Sequence, residues 1–410
     1  MNPWIDDLLP YPFERLIALK DGVATASAKP HIALSIGEPK HAPPPFIIDA
    51  LAARLPLAEG LGSYPATRGS DVLRSAAADW ATRRFHLRSG TLTPERHVLP
   101  VNGTREALFS FGQAVLSGAP GSCAVLPNPF YQIYEGAVLL RGTRPWYVPC
   151  PETRAFRPDF DSVPEEVWRC CELLFLCSPG NPTGAVIPLE ELEHLIGLAD
   201  RFGFVIASDE CYSEIYPDDR APPPGLLEAC AALSRHDFRR CVVFHSLSKR
   251  SNVPGLRSGF VAGDSSLLER FFVYRTYHGC AMPAHVQEAS RLAWRDERHV
   301  DDNRALYRAK FAAVTPRLAE VLDVAAPQAG FYLWPRTPGD DQAFARALFR
   351  AQNLTVLPGS YLSREHEGAN PGTGRVRMAL VAPLDECIDA AERIVEFVTS
   401  SGRMSLENAR

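Results

Sequence analysis

Lysine is scarce in this chain: its 410 residues include only Lys20, Lys29, Lys40, Lys249 and Lys310, against thirty-eight arginines. Arginine stays protonated, whereas lysine alone can lose its proton and condense with a carbonyl, so a lysine kept among arginines is a candidate for chemistry. Other absences narrow the function. There is no apolar stretch of about 18 residues, so no spanning helix is expected. No basic, apolar and small-residue leader opens the chain, so export is not expected and the chain reads as cytoplasmic. The ten cysteines, which include the adjacent Cys170 and Cys171, form no C-x-x-C pair and no zinc spacing, which points to a reducing compartment and no metal site. No G-x-G-x-x-G follows a strand and no G-x-x-x-x-G-K-[ST] occurs, which removes the phosphate signals of nicotinamide and nucleotide enzymes. With a net charge of −5 and no basic run, nucleic-acid binding is not expected, so any anion site must be local.

What is present is ordinary in bulk. Apolar residues make up 46% and charged residues 22%, and the length suffices for two domains or one large α/β unit with an appendage. Apolar runs at Cys123-Ala-Val-Leu126, Leu173-Leu-Phe-Leu176, Phe204-Val-Ile-Ala207, Cys241-Val-Val-Phe244 and Gly259-Phe-Val-Ala262 read as strands. A helical pattern over 190–201 lies between two of them, and others are expected over 45–57, 71–86, 106–116, 296–322, 340–353 and 384–400. Apolar strands alternating with helices predict a largely parallel sheet covered on both faces, with ligands beyond the strands' carboxyl ends. An earlier run, residues 32–39, reads as a strand ending at Gly37, where the missing side chain leaves room for a ligand.

The polar motifs fall at those strand ends. Ser178-Pro-Gly-Asn181-Pro182-Thr-Gly184 presents an amide in a rigid loop, and Asp209 stands three residues before Tyr212. Ser246 and Lys249 follow the fourth strand, with Arg257 after Pro254-Gly255. Asn102-Gly103-Thr104-Arg105 opens a helix whose backbone N–H groups could cradle a phosphate. Each has a structural alternative: Lys249 snorkelling at a strand end, Asn181 and Asp209 capping turns or helices, Tyr212 in the core, Arg257 in a surface ion pair, Asn-Gly-Thr as a plain turn and N-cap. Their shared position at sheet ends, in order, favours a site.

As an ordered set, Asn181-Pro-x-Gly184, Asp209-x-x-Tyr212, Ser246-x-x-Lys249 with Arg257, and the late Arg377 resemble the class I/II aminotransferases, fold-type I enzymes that use pyridoxal 5′-phosphate. The resemblance covers nearly the whole chain. It implies a large cofactor-binding domain with a mainly parallel sheet between helices, over 45–299, and a smaller α+β domain over 300–410, with an N-terminal arm over 1–44 that contributes to the small domain. It also implies roles. Lys249 would hold the cofactor covalently and later shuttle the proton, and Asp209 would pair with the ring nitrogen. Asn181 and Tyr212 would bond the ring's phenolic oxygen. Gly103, Thr104, Arg105, Ser246 and Arg257 would bind the phosphate, and Tyr131 would stack on the ring, with Phe130 as rival. Arg377, with the backbone at Gly37, would clamp the substrate carboxylate. Tyr64 would reach the phosphate of a neighbouring subunit in a homodimer with shared sites.

Within the family, Ser246-Leu-Ser-Lys-Arg-Ser-Asn-Val-Pro-Gly-Leu-Arg-Ser-Gly259, Pro10-Tyr-Pro-Phe-Glu-Arg-Leu16 and Ile36-Gly-Glu-Pro-Lys-His41 are most similar to succinyldiaminopimelate aminotransferases of bacterial lysine synthesis. Their substrates are small amino and keto acids, and one with extra carboxylates needs a further cation. Arg15, Lys40, Arg105 and Arg275 are the candidates. Alternatives are an aspartate, alanine or acetylornithine aminotransferase, or a carbon–sulfur lyase on the same cofactor. A cofactor-sensing regulator is disfavoured, because the roughly thirty residues before the first core strand are too few for a winged-helix domain.

Overall fold

The computed structural model describes residues 1–53, 58 and 60–407. Twelve strands occur among them: β1 (Ile32–Ala33), β2 (Val98–Val101), β3 (Cys123–Asn128), β4 (Arg144–Pro149), β5 (Cys171–Cys177), β6 (Val205–Asp209), β7 (Cys241–Ser246), β8 (Gly259–Gly263), β9 (Tyr332–Leu333), β10 (Leu354–Thr355), β11 (Leu357–Pro358) and β12 (Val376–Ala379). The large sheet has seven strands in the order β2-β8-β7-β6-β5-β3-β4.

Its central strands are apolar on both faces because both faces are covered. Leu174, Ile206 and Val243 pack into one core, while their chain neighbours Phe175, Ala207 and Val242 pack into another on the opposite side. Helices including Leu189–Phe202 and Thr104–Val115 close those two faces. The first of these stops where Gly203 adopts a left-handed φ of 91°.

One strand is reversed. β8 runs antiparallel to both β7 and β2, so its first residue, Gly259, pairs with Ser246 on one side and Val101 on the other. The start of β8 therefore lies at the same sheet edge as the ends of its neighbours. That reversal brings three distant segments together: the turn after β2, the turn after β7, and the loop into β8.

A second unit is built from both ends of the chain. β1 pairs in parallel with β10, and β11, β12 and β9 form an antiparallel sheet. Leu34, Val314, Leu348, Met378 and Ile394 share one core there, bringing the N-terminal segment under the closing helix Leu384–Glu407. The expected strand over 32–39 is only two residues long, since the chain after Ala33 turns along the cavity instead of continuing a ladder. The expected helix over 296–322 is Arg298–Ala319, preceded by a separate helix, Ala284–Arg295. The helix expected over 45–57 spans Pro45–Ala52, and residues 54–57 of that reading lie outside the described residues. No helix among the described residues is long and apolar enough to cross a membrane.

Candidate active site

At the carboxyl edge of the large sheet, facing the small unit, is a cavity of about 500 Å³. Lys249 enters it from the short helix Leu247–Arg250, which begins where β7 ends and is capped by the Ser246 hydroxyl accepting from the Ser248 N–H at 3.1 Å. The Lys249 ammonium donates to the carbonyl oxygen of Gly37. Burial above all, with Arg377 and Arg257 nearby, lowers its pKa from 10.5 to about 8, against the opposing pull of Cys211 and Glu38. A free amine is therefore accessible near neutral pH.

Asp209, the last residue of β6, is 4% exposed and also lines the cavity. Its Oδ2 accepts from the Tyr134 hydroxyl at 2.7 Å and its Oδ1 from the Cys211 N–H at 3.3 Å. Burial raises its pKa, while those bonds oppose the rise. Among the described residues no lysine or arginine pairs with it. A buried carboxylate with no cation, facing a cavity, fits a ligand with a protonated ring nitrogen.

The reversed β8 assembles an anion cradle. Gly103 has φ 83°, and a Cβ there would lie 2.2 Å from Arg257 Nη2, so only glycine lets the guanidinium rest against the start of the helix Thr104–Val115. Ser246, Ser248, Thr104 and Arg257 face the cavity at this end. Arg105 does not join them through its side chain. Its Nε donates to the Tyr131 hydroxyl at 2.8 Å and its Nη2 to the Tyr11 hydroxyl at 3.1 Å.

From the small unit, β12 supplies Arg377, whose Nη1 donates to Asn181 Oδ1 at 2.9 Å and Nη2 to the Ser35 carbonyl at 2.6 Å. Its buried Nε has no hydrogen-bond partner, and the residue lines the cavity. Gly37 lines the cavity, but what its missing Cβ admits is the Tyr332 hydroxyl, which would lie 2.0 Å from such an atom. Tyr332 in turn bonds Tyr212 at 3.0 Å between hydroxyls. Tyr131 lines the cavity, whereas Phe130 is 1% exposed and stacks on Tyr147. Tyr64 is fully exposed and is not brought to the cavity of its own chain.

Three tyrosines were not singled out from the sequence. Tyr11 lies in the Pro10–Leu16 motif, which by itself gives it no role, and Tyr332 lies in the aromatic run Gly330-Phe-Tyr-Leu-Trp334. Tyr134 carries no signal, since it lies on an apolar helix and only the fold places its hydroxyl on Asp209.

Residues 29–394 match the model of the family Aminotransferase class I and II, and the chain belongs to that family, whose members depend on pyridoxal phosphate. It is similar to the LL-diaminopimelate aminotransferase of Nitratidesulfovibrio vulgaris strain DP4, at 31% identity over 394 residues, 95% of this chain and 97% of that protein. Among solved structures, an aminotransferase from Neisseria meningitidis Z2491 is 50% identical with a TM-score of 0.91, covering 97% of this chain and 100% of that one. A probable N-succinyldiaminopimelate aminotransferase from Thermus thermophilus is 28% identical with a TM-score of 0.80, covering 94% and 100%. The residues present fit the cofactor: a glycine-backed anion cradle, an uncompensated buried carboxylate and a lysine with a depressed pKa occupy one cavity.

Proposed function

We propose that this aminotransferase moves an amino group between glutamate and N-succinyl-2-amino-6-ketopimelate, giving N-succinyl-LL-2,6-diaminopimelate. Pyridoxal phosphate bound in the cavity supplies the electron sink that lets a substrate's α-proton leave. Lys249 holds the cofactor and then carries that proton, a task suited to an amine with pKa about 8. Asp209 keeps the ring nitrogen protonated, Asn181 and Tyr212 bond the phenolic oxygen, and Tyr131 covers the ring. Gly103, Thr104, Ser246 and Arg257 receive the phosphate, helped by the Arg105 backbone N–H and, across a homodimer, by Tyr64. Arg377 and Gly37 hold the α-carboxylate.

The observation that carries the substrate reading is Arg105. Of the four cations considered for a distal carboxylate, Arg275 is fully buried against Glu106 at 2.8 Å, Arg15 lies over the Tyr361 ring, and Lys40 does not line the cavity. Arg105 does line it, and its side chain is steadied by two phenols instead of by a carboxylate. The likeness to the Thermus protein supports the succinylated substrate. A second reading, free LL-diaminopimelate, is favoured by the names of the curated relatives. Half-reactions followed by cofactor absorbance separate them: conversion by N-succinyl-LL-diaminopimelate supports the first, and conversion by LL-diaminopimelate alone supports the second. Pyruvate released from cystathionine without a keto acid would instead indicate a lyase.

A further inference from the structure

A second of the five lysines lies outside this chemistry. Lys310, on the helix Arg298–Ala319, is 2% exposed, and no carboxylate of the described residues pairs with it. Asn303, Tyr307 and Lys310 stand four and three residues apart and so share one helix face. His41 lies across that face: its Nδ1 is 2.8 Å from Asn303 Oδ1, its ring is 4.7 Å from the Tyr307 ring, and its Nε2 is 2.5 Å from Lys310 Nζ.

The donor pattern is directional. A lysine ammonium only donates, so Nε2 accepts and Nδ1 carries the proton that goes to Asn303 Oδ1. Asn252 donates to the same oxygen at 2.9 Å, which turns the Asn303 amide nitrogen toward the carbonyl oxygens of Lys249, at 3.2 Å, and Arg250, at 3.4 Å. Burial and the neighbouring Lys310 lower the pKa of His41, in keeping with a neutral ring, although the Asn303 bond opposes this. Lys310 also donates to the carbonyl of Val381 at 3.3 Å, just beyond the strand that bears Arg377.

The loop of Gly37 thus meets Lys249 twice, once through the Gly37 carbonyl and once through His41 and Asn303. The first contact uses the amine that must bond the cofactor; the second uses only backbone. We propose that His41, oriented by Lys310, is a positioning residue that keeps the Gly37 loop and the Arg377 strand in register with Lys249 once the lysine amine has left Gly37. This rests on the Lys249 assignment and not on which amino acid is the substrate.

The test compares hydrogen exchange of the full-length protein, cofactor-free and cofactor-loaded, in His41→Leu and His41→Gln. A carboxamide offers an acceptor oxygen and a donor NH2, where neutral imidazole offers an acceptor and a donor nitrogen, so His41→Gln can restore the relay. In the loaded protein, His41→Leu is expected to speed exchange over residues 36–43 about tenfold and raise KM for the amino donor more than it lowers kcat, with His41→Gln recovering most of both. Lys310→Met, which spares His41, is expected to give the same pattern should His41→Leu fail to fold. Unchanged exchange over 36–43, or a rise spread evenly over the chain in all three variants, would overturn the proposal. Turnover of any amino donor suffices for the kinetic arm, so a wrong substrate reading leaves the outcome legible.

Discussion

Lys249 lies between two demands at the scale of single residues. It must be buried enough to shed its proton and close enough to a polar group to survive burial. The Gly37 carbonyl and the cavity satisfy both. Below pH 8 most of the amine is protonated, so capture of cofactor by cofactor-free protein should speed up about tenfold per pH unit and level off above about pH 8. Stopped-flow absorbance checks this; a rate still climbing past pH 9 would mean that the pKa is not depressed. Lys249→Ala, and Lys249→Arg because guanidinium stays charged, should lose the lysine-bound absorbance and at least about 10²–10⁴ of turnover. Rarity singles out Lys249 in the sequence and strand-end position singles out Asp209 and Asn181, and the fold brings all three to one cavity. Tyr134 and Tyr332 were illegible because a tyrosine packed on a core looks like core until its hydroxyl finds a partner.

Elements set the distances between these residues. Phe175 of β5 stacks on the Tyr134 ring at 5.0 Å, and Tyr134 holds Asp209, so the core of the sheet reaches the site through two contacts. Phe175→Ala should cost about 3–5 kcal/mol in urea unfolding, as large-to-small core changes do, and weaken cofactor binding as well. A full-stability variant would show that the stack carries no load. Gly37→Ala forces a Cβ onto the Tyr332 hydroxyl, so KM should rise for both amino and keto acids while the lysine-bound absorbance persists. The apolar strands were readable from residue type alone. The reversal of β8 was not, since an apolar run gives no direction, and the edge strand β4, half-buried over its middle and exposed at both ends, lacks the pattern that marks buried strands.

Across the whole molecule, the end of the cavity with Lys249, Asp209 and Arg257 belongs to the large sheet, whereas Arg377 comes from a unit built from both chain termini. Pairing of β1 with β10 lets the Gly37 loop, the opening helix with Tyr11 and the Arg377 strand meet Lys249. On the proposed reading, substrate selectivity rests on Arg105, which bonds Tyr11 and Tyr131. Arg105→Met should lower the preference for acidic over alkyl amino donors by about ten- to a hundredfold, the scale of one charged hydrogen-bonded contact, as measured by kcat/KM ratios. The most direct test of the account is a cofactor spectrum of the purified protein, titrated separately with glutamate, N-succinyl-LL-diaminopimelate and LL-diaminopimelate. Conversion of the lysine-bound band to the aminated cofactor by glutamate and the succinylated diamine is the predicted result; a spectrum that none of the three amino donors changes would contradict it.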